Sequence, residues 1–127
     1  MTCFWDAILQ KLTRNDFNNF GLSHMDNSNF VRFLKNHAEK TPDVTWNDER
    51  LSDKQLQENY KHIIDFNPNS IRNGYDCSVC DPFLFLVCFL FNVDIDHNYN
   101  GHIMRYRVTN SNRCLRFSSN TGHFQCA

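Results

Sequence analysis

An α+β domain, with N-terminal helices packed on a small antiparallel sheet, is the fold class the residue pattern predicts. Three observations carry that expectation. Apolar residues recur at helical spacing through the first half, the run from Phe83 to Phe91 is apolar on every side, and from Val93 onward the period changes to two. At 127 residues the chain forms one domain, spanning 1–127, large enough to bury a core without covalent staples.

Phe4, Trp5, Ile8, Leu9 and Leu12 make one stripe of a helix over 3–12. Ser28 reads as the N-cap of a second helix reaching about Lys40, with Phe30, Val31, Phe33, Leu34 and Ala38 turned inward and Thr41-Pro42 ending it. Ser52 with Gln55 is a capping box. It opens a third helix carrying Leu56, Tyr60, Ile63 and Ile64, stopped by Asn67-Pro68. Asp81-Pro82 pairs an N-cap with proline at the first helical position, just ahead of the apolar run. That run is too short to span a bilayer, and its all-round apolarity marks a helix buried on most sides, the centre of the core. Val93 and Ile95 then alternate with Asp94 and Asp96; Met104, Tyr106 and Val108 with Arg105 and Arg107; Leu115 and Phe117 with Arg116. Turn signals at Asn98–Gly101 and Asn110–Asn112 separate these strands into an antiparallel meander, and Phe124 and Cys126 make a last short strand.

A formal net charge of −1 argues against a nucleic-acid module, which would show a basic stripe. Arg105, Arg107, Arg113 and Arg116 fall on polar strand positions and read as a solvated face. No signal peptide or membrane segment is expected, because Asp6, Gln10, Lys11, Arg14 and Asp16 interrupt the first twenty residues. The four glycines are isolated, so no phosphate-cradling loop forms, and no Gly-x-Ser-x-Gly elbow is present. The six cysteines leave a disulfide framework formally open. Cys88 inside the apolar run and Cys3 at a helix start favour free thiols in a reducing compartment instead. The abundance of Asn and Phe carries no functional weight.

Chemistry concentrates at the two ends of the sequence. Cys3 heads the helix Cys3-Phe4-Trp5-Asp6-Ala7-Ile8, where unpaired N–H groups and the helix dipole favour negative charge on sulfur. His123 stands in Thr121-Gly122-His123-Phe124-Gln125. A thiol and an imidazole that meet in space form a nucleophile and its general base.

The cysteine-headed helix, the apolar helix leading into a strand over 82–96, the hairpin and the final Gly-His-aromatic strand resemble viral papain-like proteases and ovarian-tumour (OTU)-type deubiquitinases. At motif level the resemblance covers residues 3–12 and 121–126, and as an order of elements it covers nearly the whole chain. It looks most like the protease domain of a plant positive-strand RNA virus replicase polyprotein of the benyvirus type. The resemblance implies Cys3 as nucleophile, His123 as base, the Cys3 backbone N–H in the oxyanion hole, and Gly122 leaving room for substrate in the cleft. It further implies hydrolysis of the virus's own polyprotein, with ubiquitin as a second substrate, by a monomer in the host cytoplasm that needs no cofactor, nucleic acid or membrane. Two places depart from the families' usual pattern. Where an acidic group is expected shortly before the cysteine, the sequence offers only Met1 and Thr2, so that group is absent, was lost in excising the domain, or comes from elsewhere; the Asp or Asn expected two residues after the histidine is Gln125. Gln125 is then at most a weak third member beside a Cys3–His123 dyad.

A rival reading claims the same histidine. Cys77-Ser78-Val79-Cys80 and His123-Phe124-Gln125-Cys126 are two pairs of soft ligands, and Cys77, Cys80, His123 and Cys126 would hold a structural zinc in a non-catalytic interaction domain. His97 and His102, flanking the Asn98–Gly101 turn, read as parts of a solvated hairpin tip, and His24, His37 and His62 as surface residues. Trp46 reads as a loop anchor or a wall of a substrate groove.

Overall fold

The computed structural model describes residues 2–120 and 123–127, so the expected cleft residue Gly122 lies outside the described residues. The helices are α1 (Cys3–Lys11), α2 (Arg14–Asn18), α3 (Asn27–Asn36), α4 (Asp53–Asp65) and α5 (Pro82–Phe91), with a 3-10 helix at Pro68–Asn73 between the last two. The strands are β1 (Thr45–Trp46), β2 (Glu49–Arg50), β3 (Asp94–Tyr99), β4 (His102–Arg107), β5 (Cys114–Asn120) and β6 (His123–Cys126). The fold is a mixed α+β domain.

Local chemistry explains most helix boundaries. The Ser52 and Gln55 side chains exchange bonds with each other's backbone N–H groups, so the capping box opens α4 as expected. Asp81 caps α5 by accepting from the Phe83 N–H at 2.9 Å, and Asn92 ends that helix in the left-handed conformation at φ 53°. The second expected helix is shorter than its pattern. Asp26, not Ser28, accepts the Asn29 N–H at 2.9 Å and caps α3, and the helix closes at His37, whose ring nitrogen donates to the Phe33 carbonyl at 2.9 Å. Helix α2 follows from a second capping box, Thr13 with Asp16, and from the wholly buried Phe17.

The sheet is not the antiparallel meander that the strand pattern predicts. Its order is β2-β1-β4-β3-β5-β6, with β3 and β5 parallel and every other pair antiparallel. A period of two identifies strands but says nothing of their neighbours. Here the connection 108–113 passes the start of β3 and returns on its far side. It is fastened there by Asn112 N–H to Asn92 O at 2.8 Å, Asp94 N–H to Arg113 O at 2.9 Å and Asn92 Nδ2 to Asn110 O at 3.0 Å. The tight hairpin turns also use asparagine. Asn47 and Asp48 between β1 and β2, and Asn100 and Gly101 between β3 and β4, all have positive φ, which a two-residue turn requires for the strands to keep their twist.

Helix α5 is the centre of the core, with Phe83 to Cys88 and Phe91 buried and Phe89 reaching solvent. One aromatic cluster (Phe4, Trp5, Phe66, Tyr75 and Phe83) surrounds its first turn. Another (Phe17, Phe20, Phe30 and Phe33) surrounds Phe91 at its last.

Two of the four arginines read as solvated are structural instead. Arg107 pairs with Asp96 at 2.7 Å and lies near Asp94, on the same face of the paired strands. Arg113 makes two bonds to the buried carboxylate of Asp16, at 3.1 and 2.6 Å, and one to the Lys11 carbonyl, locking α2 to the start of β5. Burial alone would raise the Asp16 pKa, but the bonds from Arg113 and Thr13 outweigh it and hold the carboxyl below its usual value. Its stabilisation is therefore complete above the unfolded carboxylate pKa, about 3.9, and is lost as pH falls through the lower folded value. Arg113→Met should cost about 2–3 kcal/mol at neutral pH, read as a shift of the urea midpoint. That difference from wild type should shrink as pH falls from the unfolded carboxylate value through the lower folded one, where Asp16 takes up its proton.

Candidate active site

The two ends of the chain meet along one seam. Strand β6 pairs with β5 and lies against α1, where Phe124 packs on Phe4 with ring centroids 4.9 Å apart and the Cys126 thiol donates to the Ala7 carbonyl at 3.3 Å. Alternation along β6 buries Phe124 under the helix and turns His123 and Gln125 outward. This packing brings Cys3, half-buried at the start of α1, and His123, exposed at the start of β6, onto the wall of one cavity of about 300 Å³. Tyr75, Cys77, Tyr99 and Ser119 complete much of the lining.

His123 is already oriented. Its Nε2 lies 3.0 Å from Gln125 Oε1, an acceptor-only oxygen, so Nε2 is the donor and Nδ1 is left free of this bond. Gln125 is in turn steadied by Nε2–H to Ser118 Oγ at 3.5 Å. No hydrogen bond joins Cys3 Sγ to His123 among the described residues. At α1 the Thr2 hydroxyl donates to Asp6 instead of capping the helix, and the first intrahelical bond runs from Asp6 N–H to Thr2 O. Among the described residues the N–H groups of Cys3 and Phe4 have no helical acceptor, which is the geometry of an anion site.

Behind the cavity wall at Cys77 lies a second thiol–imidazole contact that the sequence reading missed. His97 is wholly buried, not part of a solvated hairpin tip; only His102 is exposed there. The alternation that turns Val93 and Ile95 inward continues to His97, and this was the available signal. Its Nδ1 faces Cys77 Sγ at 4.0 Å and its Nε2 faces Ser119 Oγ at 2.6 Å. Cys77 is nevertheless a poor nucleophile. Burial and then the charge of Asp81 push its pKa far up, so it remains a thiol.

The zinc ligands do not come together. Cys126 turns to Ala7 and Gln10, Cys77 to His97 and Ser78, and His123 to Gln125. Among the described residues no three His, Cys, Asp or Glu side chains gather where they could hold a metal ion. All six cysteines are unbridged. His24, His37 and His62 are exposed, as expected. Trp46 is an anchor, with Nε1–H to the Val79 carbonyl at 3.0 Å, and does not line the cavity. No helix among the described residues is long and apolar enough to cross a membrane.

Comparison with protein-family models, curated proteins and solved structures finds no match.

Thiol reactivity should separate the cysteines. Brief iodoacetamide treatment near pH 7, followed by peptide mapping, should leave Cys77 and the core residue Cys88 unmodified, because burial holds both as thiols. Cys80, whose pKa is pushed up to about 11 by burial and Asp81, should become steadily more reactive as pH rises toward that value.

Proposed function

We propose that the chain is a cysteine peptidase of OTU-like or papain-like architecture, with Cys3 as nucleophile and His123 as general base and acid. One observation carries this reading: residues from opposite ends of the chain share one cavity wall, with the thiol on a helix N-terminus and the imidazole held by Gln125.

In the reaction, His123 Nδ1 takes the Cys3 proton and the thiolate attacks the scissile carbonyl. The oxyanion forms near the uncapped N–H groups of α1, where fixed donors stabilise the new charge without reorganising. Imidazolium then protonates the leaving amine, and water activated by the same nitrogen releases the acyl group. The Gln125 carbonyl stabilises imidazolium through the Nε2–H bond, less strongly than a carboxylate would. The substrate we favour is a peptide bond of a viral polyprotein, with ubiquitin conjugates a further one, cleaved by a monomer in the host cytoplasm. Walls formed by Tyr75 and Tyr99 suit a slim, glycine-containing acyl segment.

A peptide- or ubiquitin-derived electrophile tests the reading. It should label one cysteine stoichiometrically, and Cys3→Ala should abolish labelling. His123→Ala should slow it at least about a hundredfold, the usual worth of a general base. Gln125→Ala should slow it by roughly threefold to tenfold, the worth of one neutral hydrogen bond. Equal reactivity at Cys3 and Cys114 would sink the proposal.

A further inference from the structure

Ser119 and His97 make a contact for which the dyad has no use. Ser119 lines the cavity that also holds Cys3 and His123, while His97, directly behind it, is fully buried. The Oγ–Nε2 separation of 2.6 Å lies below the usual range of a nitrogen donor and at the short end for a hydroxyl donor, which favours Ser119 as the donor. Burial also lowers the pKa of His97, so the ring is neutral and Nε2 can accept.

The rest of the network agrees with that direction. If Nε2 accepts, the ring proton sits on Nδ1, which faces Cys77 Sγ. Burial keeps Cys77 a thiol, and its own proton is directed to the Ser78 carbonyl at 3.4 Å, so the sulfur meets Nδ1–H as an acceptor. Phe124, packed on the His97 ring at 5.2 Å, fixes the imidazole plane. With its only proton committed to His97, Ser119 has acceptor lone pairs for the cavity.

We propose that Ser119 is a substrate-binding residue, its Oγ accepting a backbone N–H of the acyl segment, with His97 as the positioning residue that keeps this oxygen an acceptor. The inference rests on the peptidase reading of the cavity and deepens it. Peptide substrates carry an N–H at each non-proline residue, and a single fixed acceptor beside the thiol sets the register in which the chain lies. Ser119 contributes to ground state and transition state alike, which is uniform binding.

The assay is Cys3 labelling by a peptide electrophile ending in two glycines, resolved into an inhibition constant KI and a maximal rate kinact. Ser119→Ala, a small change that should fold, is expected to raise KI by roughly threefold to tenfold and leave kinact within twofold. Probes in which one backbone amide at a time becomes an ester should reveal one position where wild type loses the same factor and Ser119→Ala loses nothing more. His97→Phe should raise KI similarly and add little to Ser119→Ala; should it fail to fold, the ester probes still decide. An unchanged KI for Ser119→Ala with Cys3 still labelled overturns this inference alone. A wild-type protein unlabelled at Cys3 overturns the peptidase reading, and this inference with it.

Discussion

The carboxylate of Asp81 is the point on which the cavity and the core both hang. It is wholly buried, yet it accepts from Tyr75 Oη at 2.8 Å, from the Ser78 N–H at 3.0 Å and from the Phe83 N–H at 2.9 Å. Its own backbone N–H donates to Tyr106 Oη at 2.9 Å, and that hydroxyl donates on to the Val79 carbonyl at 3.2 Å. Burial raises the Asp81 pKa, and these donors oppose it. An anion without them would not tolerate such a place. The outcome is that the loop 75–81, which has little regular structure, is tied to the most buried helix and to the sheet at once.

Everything on the near wall of the cavity inherits that rigidity. Tyr75 and Cys77 belong to the tied loop, and Cys77 passes its position to His97 and so to Ser119. On the far wall, packing does the same work. Phe4 lies between Tyr75 and Phe124, at 4.6 and 4.9 Å, so the residue after Cys3 bridges the loop and the strand that carries His123. Such offset aromatic contacts add a little to simple burial and fix ring orientation. Two supports of different kinds, one polar and one apolar, thus meet at α1.

How much of this was legible in the residues follows from the range of each interaction. Caps are local, so Ser52 with Gln55 and Asp81 with Pro82 were readable and are found as expected. The competition between Asp26 and Ser28 was less so, because both are good caps and packing chooses between them. Strand order was invisible. It depends on Asn92 and Asp94 fastening a distant connection, and no periodicity encodes that. Composition misled as well. Asparagines whose abundance carried no functional weight have a structural one, at positive-φ turn and cap positions Asn47, Asn92, Asn100 and Asn110. Cys3, His123 and Gln125 could be named from motif and spacing, whereas Ser119 could not, since a lone serine in a strand has no signature until its partner is known.

One consequence lies in the order of the elements. The cavity needs β6 for part of its wall, and β6 is the last element of the fold, closing against the first across a sequence separation of 119. Contacts of such long range are made late, after the chain has met the entropy cost of loop closure. Before β6 docks, α1 and α5 can form and bury their faces, but the wall to which Cys3 and His123 both contribute is incomplete. Completion of the cavity is therefore timed by topology: the pocket becomes whole only when β6 docks.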